Sequence, residues 1–462
     1  MERVELQRQR TYSTLGIRGS AAKVDRGQYA LLFTSSAPTS PISSHALNLN
    51  AAMSNALSID PRELKVLGLV GSSHMLSHVY ILLLPPLFPL LREEFGVNYA
   101  ALGVIAAAFS LASTLGQIPM GFLVDRIGGR SLLVAGLLLQ GCAGAGMALA
   151  DSYWMLVMMS GLAGLANTVF HPADFSILSA SVPHDRLGRA FSVHSLSGNL
   201  GAAMTPPVVV ALTTFWNWRV ALAAAALLSV LVAILVAWHR DALAEERAQP
   251  VGGQSTKTGV GEGVALLRST PILMAFMFFF LGGIGVTAIQ TQGVAAIAVL
   301  NGSSLAAANG VLTAFLIGAT VGIFVAAFLL DRVGRPDPIV IGAFTCGAAL
   351  LIVVGSLPLS IVMLTALLAV TGVCTGIAQP SRDLMVRRIT PEGSAGKVFG
   401  FLSTAFSIGG VVTPVIFGWI LDHTSASWMF WLIAAFMLAA ILTVVRLDHL
   451  RPRAPGDSDP TP

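Results

Sequence analysis

A few side chains able to hold charge or a proton stand in stretches of this sequence that are otherwise apolar: His74 and His78, His171 and Asp174, His194, and Arg382 with Asp383. An ionisable group in a hydrocarbon medium costs roughly 2.5–3.5 kcal/mol on insertion scales, so it persists where it faces a cavity or a partner and has a function. His74 and His78 stand at i and i+4, on one face of a helix. Two histidines so spaced can bind zinc, but a zinc site needs three or four ligands. His171 adds one only if its helix touches theirs. The expected role is a polar stripe on a cavity wall, or a proton relay suited to a group that titrates near neutral pH. No metal and no cofactor are expected. Asn167, His171 and Asp174 follow at i, i+4 and i+7, again one face. His194 is expected to hold a hydrogen bond between helices. Gln290, Thr291 and Gln292 are further candidates for substrate contact.

The elements that carry these groups follow from composition. Of 462 residues, 55% are hydrophobic and 11% charged, less than half the charged share of about 25% in soluble domains. A bilayer core of about 30 Å needs roughly 20 apolar residues in a helix. Such runs occupy 66–91, 100–124, 131–149, 154–181, 190–213, 220–238, 271–300, 304–330, 339–357, 360–386, 398–420 and 429–445. This is an all-α membrane protein by expectation, with twelve transmembrane helices. Cys142, Cys346 and Cys374 fall inside the runs without metal spacing and act as small packing residues. The net charge of +4 does not imply nucleic acid, because the charges follow topology. Beyond residues 1–52, the basic residues flank one set of connections. Arg92 and Arg219 fall on the opposite side and Arg382 inside a span. This bias puts both termini in the cytoplasm. The expected organisation is a disordered tail over 1–60 (with Met53 as an alternative start), a bundle over 61–238, a cytoplasmic linker over 239–268, a second bundle over 269–446 and a tail over 447–462.

The two halves repeat. An offset of 208 carries Gly188, Phe191, Gly201, Thr205 and Pro206 onto Gly396, Phe399, Gly409, Thr413 and Pro414, and Pro172 and Pro183 onto Pro380 and Pro391. It also carries Asn167, His171 and Asp174 onto Thr375, Gln379 and Arg382. Coincidence at glycine and proline marks duplication rather than shared apolar composition. The stretch "GFLVDRIGGR" at 121–130 is nearly repeated by "AFLLDRVGR" at 327–335. Gly128 permits a tight reversal, and Arg126 and Arg130 hold it at an anionic surface.

Two six-helix halves in parallel repeat, with "GFLVDRIGGR" matching a G-x-L-x-D-R-x-G-R-R signature, resemble the major facilitator superfamily over about 53–446. "SHMLSHVYILLLPPLFPLL", "VFHPAD" and "FSVHSLSGNLG" resemble its fosmidomycin-resistance branch. The resemblance implies a pseudo-symmetric pair of bundles with spans 1, 4, 7 and 10 lining a central cavity. The site would then comprise His74, His78, Asn167, His171, Asp174, Gln379, Arg382 and Asp383. The two-fold axis would set Asp174 opposite Arg382, either as a pair that parts during transport or as a permanent packing bridge. The gating motif would be Gly121, Asp125, Arg126, Gly128 and Arg130, repeated in Asp331, Arg332, Gly334 and Arg335. Asp125 would cap span 11 near Gly396, and Asp331 span 5 near Gly188, closing the cytoplasmic side; a purely topological role for the motif is the alternative. Gly201, Pro206, Gly409 and Pro414 would serve as hinges. "GNLGAAMTPP" departs from the family's antiporter motif, with Thr205-Pro206 in place of Gly-Pro.

No G-x-x-x-x-G-K-[ST] loop and no H-E-x-x-H motif occur, so neither an ATP-driven pump nor a zinc hydrolase is expected. The reading is a secondary transporter, not an enzyme, in the bacterial inner membrane. It is expected to be monomeric, proton-coupled and engaged in efflux of a drug-like or toxic metabolite. Uptake of a small organic acid, with Arg382 as carboxylate clamp, is the alternative.

Overall fold

The computed structural model describes residues 60–184, 186–244, 265–391 and 394–449. The expected terminal tails before residue 60 and after residue 449, the alternative start at Met53 and most of the central connection (245–264) lie outside the described residues. Among the described residues, twelve helices are long and apolar enough to cross a bilayer. They are span 1 (Pro61–Phe95), span 2 (Tyr99–Ile127), span 3 (Gly129–Ala148), span 4 (Tyr153–Ser181), span 5 (Leu187–Phe215) and span 6 (Trp218–Trp238). The second set is span 7 (Thr270–Asn301), span 8 (Leu305–Val333), span 9 (Pro336–Ser356), span 10 (Ile361–Ile389), span 11 (Val398–His423) and span 12 (Ser427–Val445). Their ends lie within a few residues of the apolar runs, because in lipid only a continuous helix satisfies the backbone.

Local chemistry fixes the ends. Asn98, Ser152, Asn217, Ser304 and Ser360 cap the starts of spans 2, 4, 6, 8 and 10, each side chain accepting from the backbone N–H three residues on. All five caps lie at the same end of the bundle, called here the cap end. The two repeated "DR" turns lie at the other, the motif end. Gly128 has φ +98° and Gly334 φ +69°, the left-handed region glycine enters without penalty. Prolines interrupt the helices that bear chemistry. Span 1 changes direction through a 3₁₀ turn at Pro85–Leu87. Span 4 breaks between Asn167 and Phe170, where Pro172 lacks the N–H that would bond the Thr168 carbonyl.

The duplication seen in the sequence is also one of packing. In the first half, Gly164 of span 4 lies against the Phe109 carbonyl of span 2. In the second half, Gly372 of span 10 lies against the Phe315 carbonyl of span 8. A side chain at either glycine would collide with backbone, so these pairs pack main chain to main chain.

Between the halves, span 2 packs on span 11 and span 5 on span 8. The close glycine contacts between spans 2 and 11 lie toward the cap end. Gly418 meets the Tyr99 carbonyl and Gly103 the Pro414 carbonyl, and a Cβ on Gly410 would stand 3.2 Å from Ser110 Oγ. Further toward the motif end, Gly121 and Gly400 have no atom within 4 Å of a Cβ. One apolar core containing Phe88, Leu102, Val294 and Phe417 runs across both halves. A separate core around Val66, Leu133, Phe170 and Val236 belongs to the first half alone. The two bundles are therefore joined at the cap end and splayed at the motif end.

Candidate functional site

A cavity of about 770 Å³ lies between the halves. Of the residues singled out in the sequence, His78, His171, Gln379, Arg382, Gln290 and Thr375 line it. His74, Asn167, Asp174 and Asp383 do not. Asn167 instead borders a smaller space of about 310 Å³ nearer the cap end, together with Thr291, and its amide lies 3.5 Å from Ser113 Oγ. His171 borders this smaller space as well as the larger cavity.

Behind the cavity wall, spans 1, 4 and 5 converge on one carboxylate. Asp174 has no solvent exposure. Its Oδ2 lies 3.0 Å from His194 Nε2 and 3.5 Å from His74 Nδ1. The first contact is a hydrogen bond whose donor depends on the imidazole tautomer. The second is a charge contact without hydrogen-bond geometry. Asp174 Oδ1 has no hydrogen-bond partner among the described residues. The rings of His74 and His194 stack with centroids 3.6 Å apart, and His78 and His171 meet His74 edge-on at 4.8 and 5.1 Å. Gly198 makes the assembly possible, since a Cβ there would stand 2.8 Å from Nε2 of both His74 and His78. His78 and His171 both belong to this cluster and line the cavity.

Spans 1 and 4 do touch, which was the condition for a third imidazole. Ligand atoms of His74, His171 and His194 all lie within 4.8 Å of one another. His194 and His74 are already turned to Asp174 in this arrangement, which suits a shared proton as well as it suits a cation.

In this arrangement Asp174 and Arg382 are apart, which argues against the permanent packing bridge and leaves a pair that forms only when the inner side closes as an expectation. Two imidazoles from the first half's own helices occupy the carboxylate. Arg382 is engaged within the second half: its Nε lies 3.0 Å from Asp383 Oδ1, and its Cζ lies 4.0 Å over the Phe279 ring. Sequence symmetry placed the two residues at equivalent heights. It did not register that His194, with no histidine at its repeat position Leu402, would complete the first half's site.

At the motif end, Asp125, Arg126, Asp331, Arg332 and Arg335 are all exposed. Arg130 bonds the Arg240 carbonyl at 3.3 Å and Arg388 the Gly334 carbonyl at 3.0 Å. Arg332 lies 4.1 Å over the Phe328 ring. At Gly188, where Asp331 was expected to cap span 5, a Cβ would meet open space. The surroundings of Gly396, expected beside Asp125, lie outside the described residues.

The cap end holds Asp422 and Asn309, which sequence reasoning did not assign, and Gln292, which it offered for substrate contact. Asp422, at the end of span 11, accepts from Tyr99 N at 2.9 Å and Ala100 N at 2.8 Å, capping span 2 of the other half. Gln292 is fully buried and donates to the Tyr99 and Pro414 carbonyls at 3.2 and 2.9 Å; it holds the halves together rather than facing the cavity. Asn309 donates to the Pro86 carbonyl at 3.0 Å. Of the hinge candidates, Gly201 lies against the Met75 carbonyl of span 1, and Pro206 and Pro414 sit inside their helices. Gly409 makes only ordinary contact with Ile284.

Comparison with known proteins fits this architecture. The family model described as Major Facilitator Superfamily matches residues 70–303 and 285–462. The chain is 26% identical over 403 residues to the fosmidomycin resistance protein of Escherichia coli (strain K12), covering 83% of this chain and 93% of that one. It is 25% identical over 353 residues to the multidrug resistance protein MdtH of Salmonella newport (strain SL254), covering 73% and 83%. Among solved structures, a bacterial homolog to the human lysosomal transporter Spinster, in an inward-facing and unoccupied conformation, aligns with TM-score 0.69 at 13% identity, covering 84% of this chain and 96% of that one. A mutant of the nucleoside transporter NupG aligns with TM-score 0.67 at 15% identity, covering 82% and 99%.

Proposed function

The chain belongs to the Major Facilitator Superfamily, and from that premise we propose that this multi-pass membrane transporter exports a small drug-like or toxic metabolite from a bacterial cell, across the inner membrane, by proton-driven alternating access. The observation that carries the reading is the asymmetry of the interface: sealed by Asp422, Gln292 and Asn309 at the cap end, splayed at the motif end. With the basic connections, and both termini, on the cytoplasmic side, this is the inward-open end state.

Spans 2 and 11 run antiparallel, so each ends beside the other's start. Asp422 closes the outer end by accepting from the first N–H groups of span 2, where the helix dipole favours an anion. Asp125 stands at the opposite end of span 2 and would cap span 11 when the inner end closes. One carboxylate is engaged in each state, and rocking exchanges one charge–helix contact for the other. Asp331 and span 5 would supply the corresponding inner contact of the second half.

Export against a gradient needs a proton site reached from the cavity. Asp174 fits: it is buried, one oxygen lacks a partner among the described residues, and His74, which it touches, meets the cavity-lining His171. A proton arriving through His171 and held between Asp174 and His194 changes the charge of a buried cluster, and so the energy of closing the bundle around it. Resemblance to relatives named for fosmidomycin and multidrug resistance supports the outward direction. A monomer suffices, because cavity and proton site are both built within one chain. In proteoliposomes with an imposed pH gradient, substrate flux should follow the gradient and collapse when it is dissipated. A deletion strain should become more sensitive to inhibitors. Flux indifferent to the pH gradient rejects proton coupling; unchanged sensitivity with loss of growth on one carbon source rejects export.

A further inference from the structure

Resting on the transporter reading, we propose that the cavity selects an amphipathic organic anion: an aromatic or otherwise flat apolar body carrying one acidic group, which binds Arg382.

The charge on the wall carries the argument. Among the described residues lining the cavity, Arg382 is the one Lys, Arg, Asp or Glu. Asp174 lies behind the wall with no exposure, and Asp383 is not part of the lining. A guanidinium has five N–H donors in a rigid fork. Here Nε is spent on Asp383 at 3.0 Å and one flat face on Phe279 at 4.0 Å. Among the described residues no hydrogen-bond partner occupies either Nη, and the side chain keeps 22% exposure. Asp383 and Phe279 thus fix the fork in place while leaving its terminal pair for a ligand. Two parallel N–H groups match the oxygens of a carboxylate, sulfonate or phosphonate. Pre-orientation of the fork reduces the ordering cost of binding.

The rest of the wall supplies the apolar half. Phe175, Phe278, Phe279, Phe315, Phe344 and Phe406 line the same space, and such rings bind flat apolar bodies by area and edge-to-face contact. A cationic aromatic would gain from these rings but meet the guanidinium's terminal N–H groups, with the balancing Asp383 outside the lining, so it is selected against. A small hydrophilic acid would satisfy Arg382 and leave the aromatic surface uncovered. An amphipathic monoanion satisfies both.

The test uses three probes of one shape on the purified full chain: naphthalene-2-sulfonate, its neutral alcohol analogue and its trimethylammonium analogue. Binding is measured by calorimetry, and flux of the two charged probes in proteoliposomes. The sulfonate should bind at least about tenfold tighter than either analogue. Arg382→Gln should lose at least about tenfold for the sulfonate and leave the alcohol unchanged; Arg382→Lys, which keeps charge but not the fork, should fall between. Equal or tighter binding of the ammonium or alcohol, no binding of any probe, or an Arg382→Gln variant that binds sulfonate normally overturns the proposal. The transport reading fails separately. Flux of the ammonium probe with rejection of sulfonate leaves a transporter of the wrong selectivity. Arg382-dependent sulfonate binding without flux supports the anion site and rejects transport.

Discussion

At the scale of single residues, one carboxylate organises the first half. Asp174 is held by His194 at 3.0 Å and His74 at 3.5 Å, in a setting where removing one partner of a buried pair typically costs about 3–5 kcal/mol. Asp174→Asn keeps the shape and removes the titrating group. We expect it to insert and fold, to retain substrate binding, and to lose at least about tenfold of pH-driven flux. Counterflow without a gradient should persist, and comparing the two fluxes in one proteoliposome preparation checks this. Loss of both in equal measure would reduce Asp174 to a packing residue. The stripe Asn167, His171, Asp174 was legible from spacing, and two of its members do share the cluster. The partner of Asp174 was not legible. Twenty residues separate it from His194, and no local pattern declares which of several polar groups in neighbouring helices will meet in space.

At the scale of elements, the proposed rocking rests on the antiparallel pair of spans 2 and 11. The outer contact is two charge-assisted hydrogen bonds from Asp422 to the start of span 2. Each such helix-terminal charge contributes roughly 0.3–1 kcal/mol, up to about 2 when partly buried. Asp422→Asn keeps an acceptor and loses the charge. It should shift the balance toward the outward-open state by roughly fivefold, the equivalent of about 1 kcal/mol. Distances between spin labels at the cap ends of spans 2 and 11 read this directly; an unchanged distribution would show that Gln292 and Asn309 suffice. Span 11's start and its terminal acid were both on the page as sequence. That the acid caps span 2 followed only from the pairing of the two helices.

At the scale of the molecule, the two bundles meet at one end and part at the other, so only one of the two sets of closing groups can be engaged. The motif end should close when the cap end opens. Asp125→Asn should therefore slow turnover several-fold while leaving insertion and the inward-open state intact, because its contact forms only in the state not seen here. Cysteine accessibility at the motif ends of spans 2 and 11 should rise in that variant. Wild-type turnover with unchanged accessibility would leave the motif a topological anchor.

The sequence by itself determined the helices, their number, the duplication and the glycine turns at Gly128 and Gly334. These depend on composition, period and backbone sterics, which act within a few residues of chain or repeat at a fixed offset. It also marked His78, His171, Gln290, Thr375, Gln379 and Arg382 of the cavity wall, but not Gln117, Asn199, Thr371, Ser403 or Ser407. Only the tertiary structure decided which of those groups meet. Asp174 meets His194 and His74 in this arrangement, and Gln292 became a bridge instead of a cavity wall. Asp422 acquired a helix start to cap. The physical reason is that hydrogen bonds and ion pairs act over about 3 Å, and which atoms reach that distance depends on helix breaks, crossing and splay. A pattern along one chain direction does not encode those until the helices have packed.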